Sequence, residues 1–138
     1  MTGSEQLRTA LKLVNEINRH DVPAIVALLA RDHLWVEPSG REVRGPDRAR
    51  DGWVHVFARF PEYHIAIEDA LEAGPVVGMM GVVTGAVPAA AGPITPAQRW
   101  RVSAAWKVVV RDGRVERFQA FADEEPIRRL ESLPAPPA

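Results

Sequence analysis

The sequence of 138 residues contains no cysteine, and its positive and negative charges nearly cancel. Without cysteine the chain has no disulfide, no thiolate nucleophile and no cysteine-ligated zinc or iron–sulfur centre. Seventeen Lys and Arg stand against eighteen Asp and Glu, a net charge of -1, whereas nucleic-acid binders carry a basic excess that displaces phosphate counterions. We therefore expect no nucleic-acid partner.

Long apolar runs are also lacking near the start, where Glu5, Arg8, Lys12 and Glu16 interrupt the first segment. A secretory signal needs an apolar run of about 7 to 15 residues and a membrane span needs about 20. The sequence therefore predicts a cytoplasmic protein with no membrane partner. With 46% hydrophobic and 25% charged residues, we expect one domain over residues 1–133 and a disordered Pro/Ala tail at 134–138.

Apolar residues recur at steps of three and four in the first part of the chain, the spacing of a helix with one buried face. The first predicted helix carries Leu7, Leu11, Val14 and Ile17. The second begins at the Asp21–Pro23 cap signal and includes Leu28 and Leu29, and the third runs from Gly45–Pro46 to Pro61.

Runs typical of strands make up most of the remaining sequence. A short apolar and aromatic run at 34–37 ends at Pro38, and further strands are predicted at about 64–71, 76–85, 99–111 and 115–122. Asp112–Gly113 between two β-branched runs is a strong hairpin signal. A short helix is predicted at 124–133. This order predicts an α+β domain with helices on one face of a curved antiparallel sheet.

Three segments, read in order, resemble a known family: "NRHDVPAIVALLARDHLWVEP", "GREVRGPDRARDGWVHVFARFPEYHIAIED" and "VVVRDGRVERFQAFAD". The chain resembles the SnoaL-like branch of the nuclear transport factor 2-like superfamily, which also contains ketosteroid isomerases, limonene epoxide hydrolases and polyketide cyclases. The resemblance implies a cone-shaped fold in which three N-terminal helices pack on a curved antiparallel sheet and enclose an apolar cavity. It also implies a homodimer joined through the outer sheet face, where we place Lys107, Val109, Arg117, Gln119 and Phe121.

Strand alternation, with its phase set by that resemblance, predicts which side chains face the cavity. The predicted pocket residues are Trp35, Trp53, Phe57, Trp100, Val102, Trp106, Phe118 and Ala120. Four tryptophans around one interior would form flat walls that suit a small apolar or aromatic ligand. The alternative is that these rings only fill the core.

Glu37 is the predicted catalytic residue. In ketosteroid isomerases a carboxylate that precedes a proline at the end of the first strand is the general base, and Val36–Glu37–Pro38 matches that context with Glu in place of Asp. A carboxylate that loses hydration among tryptophans can exchange protons with carbon acids near neutral pH. The alternative is that Glu37 bends to the rim and pairs with Arg41 or Arg44.

Other residues of the family machinery are replaced in this chain. The oxyanion donors of ketosteroid isomerases align with Leu13 and Trp106, and the last-strand aspartate of polyketide cyclases aligns with Ala120. An epoxide hydrolase of this fold needs an arginine between two carboxylates inside the cavity, whereas Arg99 and Arg101 are predicted to face outward. None of the three chemistries transfers intact.

No metal or cofactor is expected. The four histidines at 20, 33, 55 and 64 have no metal-binding spacing. His33 precedes the first predicted strand, and we place it at the cavity mouth, where it could relay a proton. The sequence therefore predicts a cofactor-free proton-transfer enzyme of isomerase, cyclase or dehydratase type that acts on a cyclic or polyketide-like carbonyl compound. Two alternatives stay open: a non-catalytic ligand-binding or dimerisation module, and an epoxide-hydrolase-like hydrolase.

Overall fold

The computed structural model describes residues 4–89 and 91–133, so the predicted tail at 134–138 lies outside the described residues. The helices are α1 (Glu5–Asn18), α2 (Val22–Ala27), α3 (Pro46–Arg59) and α4 (Glu125–Glu131). The strands are β1 (Leu29–Val36), β2 (Glu42–Arg44), β3 (His64–Ala73), β4 (Val76–Ala86), β5 (Arg99–Arg111) and β6 (Arg114–Ala122). A short 3-10 turn at Pro96–Gln98 precedes β5.

The helices begin where the sequence predicts. Ser4 caps α1 by accepting a hydrogen bond from the Leu7 amide (3.1 Å), and Asp21 caps α2 by accepting one from Ala24 (3.1 Å). The second helix is shorter than predicted and ends at Ala27, because Leu29 already belongs to a strand. Because apolar residues continue through both elements, the sequence does not show where helical spacing gives way to strand alternation.

One six-stranded sheet has the order β2–β1–β6–β5–β4–β3. The α+β class and the curved sheet are confirmed, and β3 to β6 form the predicted antiparallel series. β1, in contrast, pairs with β6 in parallel, with Val36 level with Gln119, and β2 is a three-residue edge strand that the sequence did not indicate. The parallel pair brings the ends of β1 and β6 to the same edge of the sheet.

The helices cover one face of this sheet, with α1 on β3 and β5 and α3 on β1 and β2. Asn18 ties α1 to β3, because its amide group donates to the Ile65 carbonyl and accepts from the Ile65 amide, both at 2.8 Å. Most of the buried apolar side chains form a single cluster between helices and sheet.

His33 is buried in β1 and does not reach the cavity mouth, so the sequence-based expectation is wrong. Its Nδ1 donates to the Val115 carbonyl of β6 at 2.8 Å. The register of β1 against β6 shifts between Leu29 and Leu34, and the imidazole supplies a hydrogen bond inside this bulge.

Candidate ligand cavity

A cavity of about 160 Å³ lies between α3, α4 and the inner face of the sheet. The strands contribute Trp35, Val83, Trp100, Val102, Ala104, Trp106, Phe118, Ala120 and Ala122, and the helices and loops contribute Glu37, Pro38, Ser39, Trp53, Val56, Arg59, Phe60, Tyr63, Glu124 and Ile127. Seven of the eight predicted pocket residues are on this wall, together with Glu37.

The aromatic walls are organised around Trp53 of α3. Its ring stacks on Trp35 of β1, with centroids 4.4 Å apart and planes 5° apart. Phe118 of β6 and Tyr63 lie at 6.1 and 6.2 Å from Trp53 in tilted and edge-on arrangements. Aromatic contacts of this kind stabilise the arrangement of the rings by more free energy than their burial alone provides.

Trp100 forms a second wall, where its indole lies against the backbone of β4. A Cβ added at Gly85 would come within 2.4 Å of Trp100 Cζ2, so only glycine allows the indole to approach this closely. The ring also meets Phe60 edge-on at 5.1 Å. Its buried Nε1 has no hydrogen-bond partner among residues 4–89 and 91–133, which leaves one indole donor unpaired in the wall.

Phe57 does not line the cavity, which corrects one predicted pocket residue. It stacks on His20 at 4.1 Å and lies behind Trp53, at 5.6 Å between centroids. Phe57 and Trp53 both belong to the aromatic face of α3. Phe57 lies one helical turn after Trp53, where this face packs toward the junction of α1 and α2.

Glu37 lies at the cavity mouth in the turn after β1. Its amide donates to the Arg41 carbonyl (2.9 Å), and its own carbonyl accepts from Gly40 (2.8 Å). Its carboxylate lies 3.6 Å from Arg41 Nη1, within ion-pair range but longer than a hydrogen bond, and 29% of the side chain is exposed. Glu37 therefore combines features of both interpretations, since it lines the cavity and also meets Arg41 at the rim.

Glu124 is a second carboxylate on the cavity wall that sequence reasoning missed. It is partly buried just after β6. Burial raises the pKa of its carboxyl group, and the charge of Glu37 adds to this, while the charge of Arg59 opposes it. The alternation that places Phe118, Ala120 and Ala122 on the wall reaches Glu124 at its next step, and that signal could have found it.

Arg59 and Tyr63 complete the polar part of the wall. The Arg59 guanidinium forms two hydrogen bonds with the Glu131 carboxylate, one of them 2.8 Å from Nε to Oε2, and lies over Phe60 at 4.6 Å. Burial and the nearby charge of Glu124 raise the pKa of the Tyr63 hydroxyl well above its ordinary value. Tyr63 is therefore a neutral hydrogen-bond donor at physiological pH.

The substituted family positions are apolar in space as well as in sequence. Leu13 is 1% exposed in the core beneath the helices, and Trp106 and Ala120 form part of the cavity wall. Arg99 and Arg101 are exposed, and Arg99 binds Glu62 (2.9 Å), as the outward parity predicts.

In the described ranges no group of three or more His, Asp or Glu side chains is placed to hold a metal ion. None of the helices in those ranges is long and apolar enough to cross a membrane.

Helices on one face of a bent, mostly antiparallel sheet, with a cavity between the two layers, define an α+β architecture of the nuclear transport factor 2-like type. Within that class, the sequence model of the SnoaL-like domain matches residues 10–118, and the chain belongs to this family. No curated protein shows significant similarity to the chain.

Solved structures with the same fold cover almost the whole chain. A protein from Jannaschia sp. CCS1, provisionally named a SnoaL-like polyketide cyclase, has a TM-score of 0.81 at 20% identity, over 97% of this chain and 99% of its own. IdmH from Streptomyces antibioticus, provisionally a polyketide cyclase, has a TM-score of 0.77 at 19% identity, over 94% and 100%. A ketosteroid isomerase-like protein from Catenulispora acidiphila, crystallised with trimethylamine, has a TM-score of 0.78 at 18% identity, over 91% and 93%.

Proposed function

We propose that this protein is a cofactor-free enzyme that transfers a proton within a small cyclic carbonyl compound, by isomerisation, cyclisation or dehydration. The observation that carries this proposal is the placement of Glu37 at the mouth of a cavity walled by tryptophans. An apolar pocket with a few convergent polar groups is the usual form of a small-molecule site. A carboxylate at its entrance can reach the ligand while the rings hold it.

In this mechanism the Glu37 carboxylate removes a proton from the carbon next to the carbonyl group. The electron pair of the broken C–H bond forms a carbon–carbon double bond, and the carbonyl π pair moves onto oxygen. Glu37 then returns the proton to a different carbon, and the carbonyl re-forms. The stacked Trp35 and Trp53 rings hold the substrate ring flat and exclude water from the carbanion.

The cavity size selects the substrate. An engineered cavity of about 150 Å³ in another protein binds benzene, so the 160 Å³ found here corresponds to roughly one six-membered ring. A four-ring polyketide or steroid exceeds this volume and would extend into the open cleft of about 660 Å³ that shares Glu37, Val56 and Arg59 with the cavity. We therefore infer that the part of the substrate held in the cavity is a single ring.

The test is the isomerisation of 3-cyclohexen-1-one to 2-cyclohexen-1-one, followed by the absorbance of the conjugated enone. We expect Glu37→Gln to lower kcat by about 10²-fold or more, since general bases contribute about 10²- to 10⁴-fold. Glu42→Gln, which removes an exposed carboxylate paired with Arg44, is the matched control and should keep wild-type turnover. Equal turnover in wild type and Glu37→Gln would contradict the proposal.

Two alternatives have observations of their own. The apolar character of Leu13, Trp106 and Ala120 favours a module that binds a ligand without converting it. This alternative predicts saturable quenching of tryptophan fluorescence by 2-cyclohexen-1-one and no turnover of any cyclic ketone tested. Arg59, beside Glu37 on the wall, favours hydrolysis of an epoxide. That activity predicts a diol product from cyclohexene oxide, with ¹⁸O incorporated from labelled water.

We also propose a homodimer through the outer face of the sheet. Phe121, 50% exposed, lies level with Ala105, and Ala105 is level with Met80, which is 36% exposed, so these residues form an apolar strip across three strands. Sedimentation velocity at micromolar concentration should give a dimer for wild type and a monomer for Phe121→Asp. A wild-type monomer would contradict the proposal.

A further inference from the structure

We propose that Glu124 is a second catalytic residue, which carries a proton and donates a hydrogen bond from its carboxyl group to the carbonyl oxygen of the substrate that Glu37 deprotonates. This inference rests on the proposed function. It assigns the donor role to a carboxyl group outside the replaced family positions, where the indole N–H of Trp106 is the only side-chain donor, and it selects an uncharged carbonyl compound over an anion.

The sheet topology brings the two carboxyl groups to the same place. β1 and β6 are adjacent and parallel, and Val36 is level with Gln119. Glu37 directly follows β1, and Glu124 follows β6 by two residues, so both emerge at the same edge of the sheet. Both line the same cavity. Groups on two neighbouring strand ends can contact opposite sides of one ring-sized ligand.

Glu124 has no side-chain partner, whereas the cations around it are engaged. Within residues 4–89 and 91–133 its carboxyl group makes no hydrogen bond and no ion pair. Arg59 is held by Glu131, and Arg128 is held by Glu125 at 3.1 Å. A partly buried carboxyl group without a partner is available to a ligand, and pairing with a ligand oxygen offsets the cost of its desolvation.

The charged and titratable groups that act on Glu124 belong to several segments of the chain. Glu37 lies in the turn after β1, Arg59 ends α3, Tyr63 precedes β3, and Arg128 and Glu131 belong to α4. Burial acts most strongly and favours the protonated form, the two carboxylates reinforce it, and the two arginines oppose it. Each of these arginines is engaged by its own carboxylate partner, and burial remains the largest influence, so the pKa of Glu124 is raised, while Glu37 has the Arg41 guanidinium 3.6 Å away.

The number of protons is conserved when Glu37 and Glu124 act together. Glu37 takes the proton from the carbon next to the carbonyl, the C–H pair becomes part of a double bond, and negative charge develops on the carbonyl oxygen. The Glu124 O–H shortens its hydrogen bond to that oxygen and so stabilises the charge. When Glu37 returns the proton to a different carbon, the carbonyl re-forms and Glu124 keeps its own proton.

The experiment compares Glu124→Met, which has a similar length but no hydrogen-bond donor, with Asp123→Asn, an isosteric change at the adjacent exposed carboxylate that keeps the hydrogen bond from the Glu125 amide. With 3-cyclohexen-1-one we expect Glu124→Met to lower kcat by about 10²-fold, with KM little changed, since loss of one such donor typically costs about 10²- to 10³-fold. The fall of activity at high pH, where Glu124 loses its proton in wild type, should be absent from Glu124→Met. Asp123→Asn should keep the wild-type pH profile.

A binding measurement separates this proposal from the function of Glu37. In the Glu37→Gln background, which has no base, 4-nitrophenol should bind at least tenfold more tightly with Glu124 present than in the Glu37→Gln/Glu124→Met double variant, as measured by tryptophan quenching. If Glu37→Gln abolishes turnover while Glu124→Met changes neither kcat, pH profile nor nitrophenol affinity, the role of Glu124 is overturned and the proposed function stands. If wild type shows no turnover but the affinity difference is found, Glu124 is a ligand donor and the catalytic assignment of both residues is overturned.

Discussion

Lowering the pH should destabilise this protein through His33 before the bulk of its carboxylates titrate. His33 is 2% exposed, and burial lowers its pKa, an effect that outweighs the opposing contributions of the Val115 carbonyl and of Asp32. The unfolded chain therefore binds a proton at this site at a higher pH than the folded chain. Below the unfolded pKa of 6.5, stability is lost as the pH falls toward the folded pKa.

The size of this loss follows from linkage. For an unfolded pKa of 6.5, protonation of the unfolded state at pH 5.5 is worth RT ln 11, about 1.4 kcal/mol, against less than about 0.1 kcal/mol at pH 7.5. Buried His33 therefore removes up to about 1.4 kcal/mol between these pH values, as long as it stays neutral in the folded state. This is a substantial part of the 5 to 15 kcal/mol, roughly, that stabilises a typical domain.

Urea unfolding at pH 7.5, 6.5 and 5.5 measures this dependence directly. His33→Asn is the informative variant, because its amide can still donate to the Val115 carbonyl while it cannot titrate. His64→Asn, at an exposed histidine, is the control. The reasoning is refuted if wild type and His33→Asn lose the same stability between pH 7.5 and 5.5, or if His64→Asn removes the dependence instead.

Three further outcomes follow from the packing. Trp53→Ala should cost about 3 to 5 kcal/mol of unfolding free energy in urea melts, since it removes the ring on which the wall is organised. Gly85→Ala should cost about 1 to 3 kcal/mol and shift the tryptophan emission, whereas Gly78→Ala on the same strand, which has open space at its Cβ, should do neither. Asn18→Ala should cost about 1 to 3 kcal/mol, because it leaves both backbone groups that the amide pairs in β3 without partners; unchanged stability would show that water replaces it.

Much of the architecture could be predicted because its signals are local. Alternation along β5 is a period-two pattern that puts Trp100, Val102 and Trp106 on one face, and the family resemblance identifies that face as the wall of the cavity. The cap of α2 at Asp21 and the Asp112–Gly113 turn, where Asp112 has φ 52° and Gly113 φ 72°, depend on a few adjacent residues and also occur where predicted.

The remaining features depend on contacts between distant segments. Nothing within β1 shows that it pairs in parallel with β6, and the bulge that buries His33 exists only in that pairing. Tyr63 lies between α3 and β3, outside both periodic segments, whereas Glu124 is found only if the alternation of β6 is continued one step beyond the end of the strand. Phe57 lies outside the predicted pocket because an aromatic face on a helix shows which residues are buried, but not which neighbouring element buries them.

Two glycines behind the aromatic walls determine how closely the indole rings can approach the main chain. A Cβ at Gly52 would lie 2.6 Å from Trp35 Cζ3, as one at Gly85 would press on the second indole. Each ring therefore lies directly against main chain, and a single added methyl group would force the ring to move. Substrate size in such a protein can thus diverge through residues that never touch the substrate, so comparisons restricted to the residues in contact with a ligand would overlook the positions that determine which ligands fit.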